Sequence, residues 1–155
     1  MERKDSFFFI MRKFHNSIKR TLYNKYTKNI SNLLEIAVGK SGDLNKWIEN
    51  NVKNVVGYDI NLDSIIESKR RTSKCKNIKV DLHVKDLSKS IIEGDQLFDV
   101  VSSQFSLHYF FENKCTFETL LLSIENNLKI NGVFIGTLFD SELVKTYINN
   151  IHDEK

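Results

Sequence analysis

The stretch Leu33-Leu34-Glu35-Ile36-Ala37-Val38-Gly39-Lys40-Ser41-Gly42-Asp43 decides how the rest of the chain reads. Four of its first six residues are large and apolar, and a polar turn containing two glycines follows. Leu44 to Asn50 then switches to helical spacing. A short apolar run closed by turn residues is the mark of a buried strand, so the segment predicts strand, turn, helix. Backbone N–H groups at such a turn can face a ligand, and glycine permits close approach. The next apolar run, Val55-Val56-Gly57-Tyr58, ends in Asp59, twenty residues after Gly39. That spacing suits an acid at the tip of a second strand accepting from a ribose diol. The glycine pattern is incomplete, with Ala37 where a G-x-G turn would begin. An ordinary strand–helix corner, with Asp59 capping a helix, is the competing reading.

Outward from this segment the same alternation continues. Residues 5–26 carry Phe7, Ile10, Met11, Phe14, Ile18, Leu22 and Tyr26 at intervals of three and four, which predicts an amphipathic helix. Asn61 can cap a helix to about Arg71, with Leu62, Ile65 and Ile66 buried. Ile78, Val80, Leu82 and Val84 alternate with polar residues, as in an edge strand, and Asp86 follows. Phe98 to Ser102 reads as a fourth strand, and Gln104 to Glu112 as an aromatic loop. A helix follows from Asn113 to about Leu128, with Phe117, Leu120, Leu121, Ile124 and Leu128 inward. Val133 to Thr137 is a fifth strand, and Asp140 or Ser141 can cap a last helix to Asn150. Strands alternating with helices imply right-handed crossovers and a mainly parallel, doubly wound α/β sheet. Ligands bind such sheets beyond the carboxyl ends of the strands, where strand order reverses. The Ala37–Asp43 turn and the Ser103–Glu112 loop should therefore share a crevice, with Asp59 and Asp86 along its side.

Composition narrows the class. At 155 residues, 41% hydrophobic and 28% charged, the chain fits one globular domain. No apolar run is long enough for a membrane span, so no membrane partner is expected. Cys75 and Cys115 stand far apart in no metal spacing, which predicts reduced thiols and no metal. The net charge of +3 is uneven: residues 1–31 carry +6, leaving −3 on the remainder. A basic arm on a mildly acidic domain points to an anionic partner, nucleic acid first. A solvated helix face is the plain alternative.

These segments together resemble the messenger-RNA cap guanine-N-7 methyltransferase family. Met11-Arg12-Lys13-Phe14-His15-Asn16-Ser17-Ile18-Lys19 is similar to the family's M-R-x-F-N-N-W-I-K, and Leu34 to Leu44 to its L-E-L-G-C-G-K-G-G-D-L. Val56-Gly57-Tyr58-Asp59-Ile60 also matches. Asp99 to Glu112 (D-V-V-S-S-Q-F-S-L-H-Y-F-F-E) is close to D-V-V-S-x-Q-F-x-L-H-Y-x-F-E and is the most specific stretch. Ile135-Gly136-Thr137 to Asp140-Ser141 echoes I-G-T-x-P-D-S.

The resemblance implies a Rossmann-like class I methyltransferase fold and transfer of a methyl group from S-adenosylmethionine to capped RNA. It implies that Lys19, Glu35, Gly39, Asp59, Asp86, Leu87, Gln104 and Tyr109 meet the cofactor. Asn16, Lys40, Asp43, Phe105, His108 and Tyr109 would meet the cap, and no residue is implied as nucleophile or base. It further implies an intracellular site of action, nuclear, or cytoplasmic for a viral chain. Residues 1–31 would form a basic helical arm and 32–155 the cofactor-binding core.

The chain departs from the family at Ala37 and Ser41, which replace turn glycines, and at His15 and Ser17. It also stops soon after the fifth strand, so the family's last antiparallel strands are expected to be missing. A fifth strand left with an open edge predicts self-association or a protein partner. Two alternatives stay open: another S-adenosylmethionine-dependent methyltransferase, and a non-catalytic cap- or cofactor-binding remnant. Phe110 and Phe111 are read as packing residues.

Overall fold

The computed structural model describes residues 7–143, 145 and 146. Arg3 and Lys4 of the basic arm, and Tyr147 to Asn150 of the expected last helix, lie outside the described residues. Five strands form one parallel sheet in the order β3-β2-β1-β4-β5. They are β1 Asn32–Ile36, β2 Asn54–Asp59, β3 Lys79–Val84, β4 Phe98–Gln104 and β5 Leu128–Thr137. The helices are α1 Phe7–Tyr26, α2 Leu44–Glu49, α3 Leu62–Thr72 and α4 Lys114–Asn127, with a 3-10 turn at Leu107–Phe111. Strand order reverses between β1 and β4, as the alternation implied, so the site falls at their carboxyl ends.

Register explains the two-sided core. Leu33 lies between Val55 and Val100, while Leu34 lies between Val56 and Val101. Successive side chains leave a strand on opposite faces. Leu33, Val55 and Val100 therefore join Tyr23, Trp47 and Ile65 on one face. Leu34 and Val101 join Ile92, Phe110 and Leu120 on the other. Central strands buried on both faces read as near-continuous apolar runs, and β1 does so apart from the buried Glu35.

The helices differ from expectation in which side they bury. Among the described side chains of α1, Tyr23 alone is fully buried, while Ile10 and Phe14 are 72% and 63% exposed. At 1.5 Å per residue the 20-residue α1 is about 30 Å long, and the residues it packs on the core, Leu22, Tyr23 and Tyr26, lie in its last two turns. On α3, Ile65 is buried with Ser68 and Thr72, and Leu62 and Ile66 are exposed. On α4 the buried row is Thr116, Leu120, Ser123 and Asn127, leaving Phe117 and Leu121 largely outside. Polar anchors set that rotation. The Ser123 hydroxyl accepts the Ile92 N–H at 3.1 Å, and the Asn127 amide donates to the Ile92 carbonyl at 2.9 Å.

Asn61 and Asp140 are the caps that the sequence predicts, and Asn113 is a further one. The Asn61 side chain accepts from Ser64 N–H, Asn113 forms a capping box with Thr116, and Asp140 accepts from the Glu142 and Leu143 N–H groups. Leu143, in the span of the expected last helix, is 68% exposed. β3 is an edge strand as expected, and among the described residues β5 pairs with β4 alone.

Candidate active site

The turn after β1 takes a conformation that glycine would adopt most cheaply. Ala37, Gly39 and Ser41 have φ of 56°, 55° and 52°. Both non-glycine residues that replace family glycines thus keep the glycine backbone, at a cost of about 1–2 kcal/mol each for a side chain in that region. Ser41 is compensated: it is buried, and its hydroxyl hydrogen-bonds that of buried Ser68. Ala37 has only a methyl group, which lines the crevice. Ala37→Gly is therefore expected to raise stability by about 0.5–1 kcal/mol, the relieved strain exceeding glycine's larger unfolded-state entropy. A thermal midpoint at or below wild type would count against this.

Asp59 pins the turn to the tip of β2. One carboxylate oxygen accepts the Gly39 N–H at 2.7 Å, and the other accepts the Asn61 N–H at 2.8 Å. The clamp and the ribose acceptor are compatible readings, because each carboxylate oxygen has a second lone pair. A cavity of about 300 Å³ opens beside it, lined among others by Asp59, Ile60, Asp86, Leu87, Tyr109 and Phe110. Asp86 also forms its own turn, accepting from Ser88 N–H at 3.0 Å and Ser88 hydroxyl at 2.6 Å. The Ser88 hydroxyl bond is the main influence holding the Asp86 carboxyl below the usual aspartate range. Ile60 and Phe110 are lining residues that motif reading did not nominate. Phe110 is otherwise the core residue expected, and Phe111 packs on Phe117 at 5.4 Å.

A second group gathers where α1 meets the end of the turn. Asp43 accepts from Lys19 Nζ and Lys46 Nζ, each at 2.7 Å. Lys46 Nζ also donates to the Asn16 side-chain oxygen at 3.0 Å. Lys46 is 3% exposed, and nothing in local sequence distinguishes it from a surface lysine.

A third group is aromatic. Gln104 donates to the Ser102 hydroxyl at 3.0 Å and accepts from Thr137 Oγ1 at 3.1 Å, which fixes the start of the loop. Phe105, at φ 56°, turns its ring to His15 at 4.3 Å and to Phe139 at 5.4 Å. His108 lies 4.1 Å from Tyr109 and 6.4 Å from Phe139. His15 and Phe139 thus join the expected Phe105, His108 and Tyr109. His15 was visible only as a departure from the motif.

Of the nominated residues Asp59, Asp86, Leu87 and Tyr109 line the cavity, and Lys40 and Glu35 belong to none of the three groups. Lys40 is exposed on the turn, with no carboxylate partner among the described residues. Glu35 is buried beneath the site, where its Oε1 accepts from the Tyr23 hydroxyl and, at 3.1 Å, from Trp47 Nε1. It reaches the loop indirectly, since the Tyr23 hydroxyl also meets the Ser102 hydroxyl at 3.1 Å. Burial, then the charge of Asp43, pushes the Glu35 carboxyl up to about 8.

A parallel sheet reversing between β1 and β4, with an acid at the tip of β2, is the doubly wound arrangement that S-adenosylmethionine-dependent methyltransferases share with dinucleotide-binding domains. Solved structures agree: the N-methyltransferase NodS from Bradyrhizobium japonicum WM9 superposes with a TM-score of 0.70 at 17% identity, over 93% of this chain and 75% of that one. The glycopeptide N-methyltransferase MtfA complexed with S-adenosylmethionine gives 0.65 at 19% identity, over 80% of this chain and 54% of that one. The chain belongs to the mRNA (guanine-N(7))-methyltransferase domain family, whose model matches residues 1–155. Its relatives include the mRNA cap guanine-N(7) methyltransferase of Saccharomyces cerevisiae, 36% identical over 93% of this chain and 35% of that protein. That of Caenorhabditis briggsae is 34% identical over 96% of this chain and 44% of that protein. The chain therefore spans well under two thirds of the curated relatives it matches.

Proposed function

We propose that this chain transfers a methyl group from S-adenosylmethionine to guanine N-7 of the mRNA 5′ cap. The observation carrying the proposal is the meeting, at one end of the sheet, of a nucleoside-sized cavity beside Asp59 and an aromatic cluster beside a lysine–aspartate network. A cavity of about 300 Å³ with apolar walls and a carboxylate at its rim fits an adenosine moiety. When bound, S-adenosylmethionine supplies an activated methyl on a cationic sulfonium. Asp59 would accept from the ribose hydroxyls, while Asp86 and Leu87 border the base. Lys19, Gly39 and Gln104 lie toward the amino-acid end in this reading, and Glu35 holds the floor.

Guanine N-7 presents an unprotonated lone pair, so the acceptor needs no general base. What the residues must do is orient: Phe105, His108 and Tyr109 offer ring faces to the guanine, while Asn16, Lys40 and the Asp43 network border the cap ribose and phosphates. Alignment of this kind reaches effective molarities of about 10⁵ M or more. The action would lie inside the cell, in the nucleus where messages are capped.

The test is transfer of labelled methyl to GpppG-capped RNA, with uncapped RNA as control. Transfer is expected to the capped strand alone. Asp59→Ala should weaken cofactor binding by roughly 1.5–3 kcal/mol, the scale of losing charge-assisted hydrogen bonds. The Ala37 methyl at the crevice favours a second reading, a non-catalytic cap- or cofactor-binding module. Binding of both ligands by wild type without transfer would select it.

A further inference from the structure

A wider cleft, of about 1060 Å³, lies on another side of α1. Residues 9, 13 and 17 and residues 12, 16 and 20 form two adjacent rows along a helix. α1 thereby turns Arg12, Lys13 and Arg20 into this cleft, while His15 points to the aromatic cluster. Arg71 from the end of α3 closes the opposite wall, and Lys46 lies in the floor. Among the described residues no acidic side chain lines it.

The cations differ in availability. Arg12 and Lys13 have no carboxylate partner among the described residues. Arg20 pairs with Glu49 and Arg71 with Glu67, in exposed pairs that contribute little and exchange readily for a phosphate. Three of the five lining cations are guanidinium groups, whose planar donor fork matches phosphate oxygens. Phe9, 40% exposed, adds a ring on which a base can stack. A basic groove with an aromatic platform is the common design for holding single-stranded nucleic acid.

We infer that this cleft is a track for the RNA body downstream of the cap, gripping backbone phosphates without reading sequence. The inference rests on the proposed cap methylation for the identity of the strand. It is carried by the shared wall: Asn16 faces the cleft and also receives Lys46, which holds Asp43 and through it Lys19. Cap-side and cleft-side groups are thus tied into one network. An acidic polypeptide would satisfy the charge but would make no use of the ring of Phe9.

The experiment compares three probes on wild type and on the double variant Arg12→Ala/Lys13→Ala: GpppG dinucleotide, a capped 15-nucleotide RNA and its uncapped counterpart. Both replaced side chains lack partners among the described residues, so folding should persist; Arg71→Ala, at the far wall, is an independent variant. Expected is unchanged dinucleotide affinity with a several-fold loss for both long RNAs. The slope of log affinity against log salt should fall by about 1.4 for the double variant, at about 0.7 per single-strand phosphate contact. Equal losses for dinucleotide and long RNA would overturn the track, as would no loss for long RNA. Displacement of RNA by polyglutamate of matched charge would also overturn it, in favour of an acidic polypeptide. Wild type binding capped and uncapped RNA alike, with the loss in the variants intact, would remove the cap reading and leave the track supported.

Discussion

Replacing Asp43 with alanine is expected to cost about 3–5 kcal/mol of folding stability, the range for removing one partner of a buried ion pair. Its carboxylate is the sole anion meeting Lys46 among the described residues, and the Lys46 side chain is only 4% exposed. Without Asp43 the Lys46 ammonium would keep a single protein acceptor, the Asn16 side-chain oxygen at 3.0 Å. Few interactions in a domain of this size are as costly to break, because total stability is only about 5–15 kcal/mol. Asp43→Asn, which keeps an acceptor oxygen, should cost less. Asp43→Ala combined with Lys46→Met should recover much of the loss, because the stranded charge is gone. Urea unfolding at constant m-value measures all three. A cost below about 1 kcal/mol for Asp43→Ala would mean that water reaches Lys46, and that the network is a surface feature.

The second large effect is a pH dependence centred on Glu35. Burial raises its carboxyl from 4.5 to about 8 in the folded chain. Between those values the folded chain holds a proton that the unfolded chain has released. Stability from this group is therefore fully present below about 4.5, declines as pH rises toward 8, and levels off above it. The slope can reach about 1.4 kcal/mol per pH unit for one proton. Glu35→Gln is neutral at every pH and should lack this contribution, so wild type minus variant isolates it. Unfolding curves taken at intervals from pH 5 to 9 provide the measurement. Parallel curves for the two proteins would show that Glu35 is ionised in the fold. The Tyr23 hydroxyl that Glu35 accepts also meets Ser102, and Ser102 accepts from Gln104, so this buried carboxyl is linked to the site through one chain of hydrogen bonds.

The site was legible to the extent that its residues sit in contiguous motifs. Asp59 and Gly39 were paired by spacing alone, and a 2.7 Å hydrogen bond joins them. The resemblance of Asp99 to Glu112 to the family motif implies Phe105, His108 and Tyr109, but no match of that kind points to His15 or Phe139. Those two lie on α1 and beyond β5, and they meet only because the sheet brings both elements to its carboxyl edge. Lys46 resembles any helix lysine until α1 covers it. Glu35 carries a motif position, and only its buried neighbours Tyr23 and Trp47 show that it supports the crevice from below.

The order of strands and helices, the parallel sheet, the helix caps and the family are all properties of the sequence by itself. Periodicity, capping and turn chemistry act over a few residues, so they can be read without knowing what lies across the fold. Which side of each helix is buried was decided by tertiary structure. Leu62, Ile66, Phe117 and Leu121 are apolar yet exposed, while Ser68, Thr116, Ser123 and Asn127 are polar yet buried. A helix settles on the face that satisfies the backbone and side-chain groups beneath it, here Ile92 under α4 and Ser41 under α3. An unpaired buried polar group costs about 1–3 kcal/mol, more than the roughly 0.8 kcal/mol of a buried methylene, so partners elsewhere in the chain override the local apolar stripe.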